Sequence, residues 1–362
     1  MKICYISHQM HDKGSGGAQV SFANFELLRQ SQGKENVESI CLSDFKYTNK
    51  ITRKIVIFLR SIFGLSSCMG YFATKSFLDS DLLKKSDLIW CDCSLYGSLI
   101  KKIKKKYPQK RVITFFHNIE VDFYKSIYPT DKYIYKIFIQ SARKNEEYSA
   151  IYSTNLVALT EQDRIRIEEL YGKQVKYLLP VLFNNLAITT ATLSSISKYG
   201  YKALFVGSDF PPNIEAVEFL CREVMPYVKD NISLTIVGKG MDKYKEYFER
   251  KNIKVYGFVE NLSFIYEESN IVLSPIFSGA GMKVKIAEAF KHGKGVLGTE
   301  FGFQGYDLGR DFIFIANEAI DYINYLNDFE NRLIFNCREI ESYYNDNFTI
   351  ASKIKLINEI IS

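Results

Sequence analysis

Between residues 202 and 300 the chain alternates short apolar, β-branched runs with helical patterns, and few architectures accept that alternation. The runs are KALFVGS, LTIVGKG, IKVYGF, NIVLSP and KGVLGTE, and helical periodicity fills 214–228, 242–251, 262–268 and 282–292. A strand apolar on both faces needs cover on both faces, so the pattern predicts a parallel sheet between two helical layers.

The first half repeats the theme less regularly. It predicts strands at 3–6, 39–42, 88–91, 112–116, 156–159 and 175–178, with helices at 19–29, 95–106, 133–147 and 161–171. The polar, small, aperiodic segment NNLAITTATLSSISKYG at 184–200 reads as a linker. The expected fold is therefore α/β: two doubly wound Rossmann-like domains at 1–185 and 200–345, with 346–362 able to pack back on the first. Such sheets bind ligands outside the carboxyl ends of their strands, so the expected site is the cleft where two such edges face.

At 362 residues the chain suffices for two domains of about 100–200 residues each. A formal charge of +6 permits acidic partners without demanding them, and no zinc-finger spacing or arginine-rich tail points to nucleic acid. Seven scattered cysteines, Cys91 and Cys93 among them, fit neither a metal site nor a redox pair and suit a reducing, cytoplasmic setting. MKICYISHQ reads as a first strand rather than a signal peptide, and no apolar run approaches 18 residues. In ITRKIVIFLRSIFG, however, Ile55, Phe58, Leu59 and Ile62 form a stripe beside Arg53, Lys54 and Arg60. KKIKKKYP at 101–108 adds a basic run. Together they suggest peripheral contact with an anionic membrane surface, the inner face of the plasma membrane; a core helix and a solvated charge run are the alternative.

KGSGGAQVSF places Gly14, Gly16 and Gly17 between the first strand and first helix, where backbone amides can meet a phosphate. The spacing is neither G-x-G-x-x-G nor a P-loop, and a plain βα turn is the other reading. In FFHNIEVDFY, His117 follows a strand directly with Glu120 and Asp122 nearby, placed to bond a sugar hydroxyl or orient a reacting group. A strand-end histidine satisfied by backbone is the alternative. His8 also ends a strand, without a polar constellation around it; His11 and His292 read as loop and helix-end residues. Gly207 and Gly238 end two further strands, and Pro211-Pro212-Asn213 starts a helix with Asn213 as the expected N-cap.

FSGAGMKVKIAEAFKHGKGVLGTE at 277–300 carries the most chemistry. Ser278, Gly279, Ala280 and Gly281 can present N–H groups ahead of the expected helix 282–292, an anion site by geometry and dipole. Lys283 and Lys285 would project about 200° apart, so one faces the ligand. Lys285 and Glu288, at i and i+3, share a face. That face offers a cation for phosphates and, one turn on, a carboxylate for a ribose diol. A solvated ion pair is the ordinary alternative, which the apolar neighbours Val284, Ile286, Ala287 and Ala289 oppose. The pattern points to a nucleoside diphosphate.

LFVGSDFPPNIEAVEFL, LTIVGKG and VYGFVENLSFIYEESNIVLSPIFSGAGMKVKIAEAFKHGKGVLGTEFGFQGYD resemble the donor-binding domain of GT-B-fold retaining glycosyltransferases of the group 1 type. GSGGAQ and FFHNIE match the same family more loosely. The resemblance implies transfer of a sugar from a nucleoside diphosphate sugar to a glycan or lipid-linked acceptor, with retention and without bound metal or other cofactor. It assigns Glu288 to the donor ribose, and Lys285 with the 278–281 loop to the diphosphate. Gly16 and Gly17 fall near the donor phosphates, and His117 near the transferred sugar. Where the family often carries a glutamate eight residues before the ribose-binding one, this chain has Ala280. Where it often has an arginine after the strand-end glycine, here Gly207, and a lysine about five residues later, Ser208 and Asn213 stand. Surface polysaccharide or glycolipid assembly is the expected role. A non-hydrolysing nucleotide-sugar epimerase and a catalytically silent nucleotide-sugar-binding subunit are the alternatives.

Overall fold

The computed structural model describes residues 1–8, 10, 16–42, 59, 61–62, 71–128, 132–185, 187, 200–328 and 337–362. They divide into two compact units, 1–184 with 350–362, and 185–349.

The first unit holds β1 (Ile3–Ser7), β2 (Val37–Cys41), β3 (Leu88–Cys91), β4 (Arg111–Phe116), β5 (Asn155–Ala158) and β6 (Tyr177–Leu178). All pair in parallel in the order β2-β1-β3-β4-β5-β6. Every residue of β1 and β3 is buried, as their unbroken apolar runs require. Ile3 pairs with both Val37 and Leu88, so the strand order reverses between β1 and β3. That reversal puts the crevice for a ligand at Ser7-His8 and Cys91-Asp92. The helices are α1 (Gly16–Gln32), α2 (Tyr71–Asp79), α3 (Asp81–Lys85), α4 (Gly97–Lys106), α5 (Glu120–Ile127), α6 (Tyr133–Tyr152) and α7 (Glu161–Tyr171). Helix α7 shows how local chemistry sets the bounds. Thr160 accepts the Asp163 N–H at 3.1 Å as its N-cap, and Gly172 ends it at φ 62°, a left-handed turn that suits glycine.

The second unit holds β7 (Tyr201–Val206), β8 (Ile232–Val237), β9 (Ile253–Tyr256), β10 (Ile271–Ser274), β11 (Val296–Gly298) and β12 (Ile313–Ile315). These are again all parallel, in the order β12-β11-β10-β7-β8-β9, with the reversal between β7 and β10. Around it lie α8 (Pro211–Phe219), α9 (Lys245–Phe248), α10 (Ser263–Glu268), α11 (Val284–Lys291), α12 (Ala319–Asn327) and α13 (Cys337–Phe348). Phe205, Ile236, Leu273 and Leu297 from four strands share its core. The last helix, α14 (Ile354–Ile361), belongs to the first unit: Ser31 Oγ donates to Asn358 Oδ1 at 2.6 Å, and Tyr177 OH to the Glu359 carbonyl at 3.2 Å.

Several bounds differ from expectation. Helix α1 starts at Gly16, not at 19, and α11 starts at Val284, not at 282. Helix α8 starts at Pro211 with Phe210 as N-cap, which moves Asn213 into the first turn; proline at the first helical position needs no N–H partner. The expected helix at 242–251 is a 3-10 turn, Met241–Tyr244, followed by the four residues of α9. Gly14, His11 and most of the 184–200 linker lie outside the described residues, as do Ile55 and Phe58; Leu59 and Ile62 are described and exposed. No helix among the described residues is long and apolar enough to cross a membrane.

Candidate functional site

In the second unit the reversal between β7 and β10 organises one cluster. After β7, Gly207 and Ser208 lead into α8. Asn213 in its first turn donates through Nδ2 to the Ser208 carbonyl at 2.9 Å and accepts at Oδ1 from Lys285 Nζ at 2.7 Å. The Lys285 ammonium also sits 4.4 Å from the centroid of the Phe205 ring. Burial, with the nearby charge of Lys283, lowers Lys285 to about 7. Beyond β10 the loop through Ser278 turns at Gly279 (φ 106°) and Gly281 (φ 67°), left-handed angles that a side chain at Cβ would strain. Ser278 Oγ donates to Glu215 Oε2 at 2.7 Å. Gly238 has a different constraint: a Cβ there would lie 2.0 Å from the Gly207 carbonyl oxygen, so its glycine is demanded by strand-end packing.

Helix α11 starts after an extended Lys283, whose Nζ folds back on the Gly281 carbonyl at 2.6 Å and lies 4.9 Å from the Phe301 ring. The expected 200° opposition of Lys283 and Lys285 on one helix therefore does not hold, because Lys283 precedes the helix. Tyr306 OH donates to the Lys283 carbonyl at 2.7 Å and accepts the Ala287 N–H at 3.1 Å, so a phenol already satisfies part of the helix start. One turn on, Glu288 Oε2 accepts from Tyr266 OH at 3.3 Å, and burial raises its carboxyl. The Tyr266 ring is itself wedged flat on His292, centroids 4.3 Å apart and 3° from parallel.

In the first unit the β1/β3 reversal gathers a second cluster. His117, just after β4, places Nε2 2.9 Å from the Asp92 carbonyl oxygen and 3.0 Å from Asp92 Oδ2. Both partners are acceptors, so Nε2 carries the proton; in the neutral ring Nδ1 is then the acceptor. Asp92 is fully buried and receives Asn24 Nδ2 at 3.1 Å and Trp90 Nε1 at 3.3 Å. Burial alone would raise its carboxyl; His117, and then the side chains of Ser21 and Asn24, outweigh that and hold it below the usual range. His8 Nδ1 meets Tyr96 OH at 2.6 Å, and burial, then the charge of His117, lowers it to about 4. The expectation that His8 lacks a polar constellation is thus corrected. Gly16 and Gly17 form the first turn of α1 rather than a loop before it.

Residues 200–326 match the family model described as Glycosyl transferases group 1. The chain is 23% identical over 274 residues to an uncharacterized 44.6 kDa protein in the cps region of Klebsiella pneumoniae, spanning 70% of this chain and 67% of that one. It superposes on Anabaena Alr3699/HepE, solved in complex with UDP, with a TM-score of 0.66 at 12% identity, over 100% of this chain and 99% of that one. The trehalose-6-phosphate synthase OtsA superposes with a TM-score of 0.62 at 12% identity, over 100% and 98%. Residues 200–326 are a group 1 glycosyltransferase domain, and the chain has the GT-B fold.

In the second unit, Lys285, Gly207 and the 278–281 loop come together at one sheet reversal, and Glu288 stands one turn along α11. Although Lys285 and Glu288 share a face, they take different partners, Asn213 and Tyr266. Gly238 joins Gly207 through packing. His117 belongs to the other unit's cluster. Sequence reasoning missed Asp92, Tyr266 and Tyr306, and read Asn213 as a cap standing where the resembling family often has a lysine, not as a partner of Lys285. Asp92 was legible as the residue after strand β3; the two tyrosines lie 22 and 19 positions from their partners and leave no local signal. Among the described residues, no group of three or more His, Cys, Asp or Glu side chains is placed to hold a metal ion.

Proposed function

We propose that this glycosyltransferase moves a sugar from a nucleoside diphosphate sugar to a glycan or glycolipid acceptor with retention, in the assembly of a surface polysaccharide. The observation that carries the reading is Lys285 at the β7/β10 reversal, held by Asn213 beside the glycine loop, with Glu288 one turn away. The Klebsiella relative from a cps region supports the pathway class, and HepE, also solved with UDP-glucose, supports the donor class.

The chemistry follows from charge. As the bond between the anomeric carbon and the diphosphate oxygen breaks, negative charge grows on the leaving group. Lys285 and the N–H groups of the 278–281 loop are assigned to that charge, where fixed donors act most strongly in the transition state. Glu288, kept in place by Tyr266, is assigned to the ribose hydroxyls. In the first unit, Asp92 fixes the His117 tautomer, and Nδ1 is assigned to a sugar hydroxyl.

The test is product analysis. The protein is incubated with UDP-, GDP-, ADP- and dTDP-sugars, with and without a lipid-linked oligosaccharide fraction, and the products are read by NMR. Transfer that needs the acceptor and keeps the donor's anomeric configuration supports the reading. Conversion of the donor to its epimer without acceptor supports an epimerase instead, and inversion removes the retaining assignment.

A further inference from the structure

The first unit buries a carboxylate that no substrate assignment uses. Glu146, in the middle of α6, is fully buried and accepts four hydrogen bonds. Oε1 takes Ser94 Oγ at 3.1 Å and the Glu120 N–H at 2.9 Å; Oε2 takes the Val121 N–H at 3.0 Å and Tyr171 OH at 2.8 Å. The donors are not a random set. Ser94 stands two residues after Asp92, and Glu120 stands three after His117. Two of the bonds are to the first N–H groups of α5, which a helix leaves unpaired and which favour negative charge. Neighbouring contacts on α6 hold the same segments: Ser149 Oγ donates to the Ser94 carbonyl at 2.6 Å, and Asn145 Oδ1 accepts the Ser98 N–H at 3.0 Å.

We propose that Glu146 is a positioning residue that locks together the two turns carrying Asp92 and His117. The two turns leave neighbouring strands, β3 and β4, and the register of those strands ends before either turn begins. Beyond the strands the Asp92–His117 bond needs something else to fix both ends, and one carboxylate bonded to both segments does that. A carboxylate suits the task because its two oxygens accept from both segments at once; burial raises it to about 7, against the pull of these same four donors. An amide in its place must turn an NH₂ toward one pair of donors and leaves them unsatisfied. Tyr171, at the end of α7, adds the fourth bond from a third segment. The inference rests on the transferase reading for its catalytic consequence, while the locking itself is measurable without turnover.

The experiment compares wild type, Glu146→Gln and Tyr171→Phe by hydrogen–deuterium exchange and by transfer kinetics. Expected for Glu146→Gln are faster exchange in peptides covering 117–122 and 92–95, unchanged exchange in β7–β11, and unchanged KM for the donor. Its kcat should fall by about 10²-fold, the scale of a misplaced group remote from the bond being broken. Tyr171→Phe removes one bond without leaving a buried donor and should shift both readouts the same way by less; it decides the matter if Glu146→Gln does not fold. Unchanged exchange at both turns overturns the proposal whether or not the wild type transfers sugar. Faster exchange with unaltered kcat in an active enzyme overturns it too, since Glu146 would then be structural alone. An inactive wild type with faster exchange in the variant defeats the transferase reading and leaves the lock standing.

Discussion

Lys285 Nζ donates to Asn213 Oδ1 at 2.7 Å, joining the start of α11 to the start of α8 beside the strand reversal of the second unit. Asn213 occupies the region where the resembling family often has a lysine, and here it serves as the partner that aims one. Replacing Lys285 by Met keeps the stem and removes the charge. Steady-state kinetics should show kcat down by about 10²–10³-fold, with a smaller change in donor KM. Loss confined to KM would place Lys285 in ground-state binding alone.

Binding should also take up a proton. Burial and Lys283 hold Lys285 at about 7, so near pH 8 it is mostly neutral without a neighbouring anion. A diphosphate favours the ammonium form, so affinity should fall as pH rises above about 7. Calorimetry near pH 8, in two buffers of different ionisation enthalpy, should register uptake of part of a proton, lost in Lys285→Met. Proton release, or uptake persisting in the variant, contradicts the assignment.

Glu288→Gln keeps size and weakens a charge-assisted bond to hydroxyls present before and during reaction. The loss should appear as about tenfold weaker donor binding, with kcat less affected. Tyr266→Phe frees Glu288 to turn without changing its charge and should produce a smaller shift of the same kind. A Tyr266→Phe effect larger than that of Glu288→Gln would mean the carboxylate is not the contact.

Asp92→Asn tests the tautomer. An amide can turn its NH₂ toward His117 Nε2, which then accepts and leaves the proton on Nδ1. Transfer should fall by about 10²-fold while nucleoside diphosphate affinity stays unchanged. An equal fall in diphosphate affinity would remove the sugar-hydroxyl role.

Glu120 sets a pH dependence of stability. Burial, and then Glu146, raises its carboxyl from 4.5 to about 8. The folded chain therefore holds this proton more tightly than the unfolded one, and its contribution is lost as pH rises through about 8. Glu120→Gln removes that loss, so the unfolding midpoint of the variant relative to wild type should climb between about pH 5 and 8. A constant difference would show that the carboxyl is not held protonated.

The sheets were legible because their strands are unbroken apolar runs: Leu88–Cys91 and Ile271–Ser274 are buried at every position. The short β12 was not, since Ile315 is exposed and three residues carry no period. Lys285 and Glu288 were legible from spacing on one helix, but the side of Lys283 was not, because Lys283 is itself extended backbone at the N-cap, ahead of the helix proper. The basic run of α4 shows the same limit. Lys101 lies 4.3 Å from the Tyr148 ring centroid, Lys104 donates to the Pro108 and Lys110 carbonyls, and Lys106 pairs with Asp79. These three lysines of the basic run thus have partners within their own unit, brought close by pairing that periodicity does not encode.

The central claim is that α11 and the loop before it hold a nucleoside diphosphate, and thermal unfolding with UDP, GDP, ADP and dTDP tests it most directly. At least one should raise the midpoint, increasingly with concentration and by about 2.7 kcal/mol of stability at a hundred times its Kd. The shift should shrink in Glu288→Gln and in Lys285→Met. If none of the four shifts the midpoint of the folded protein, or if the shift survives unaltered when both residues are replaced together, the site lies elsewhere.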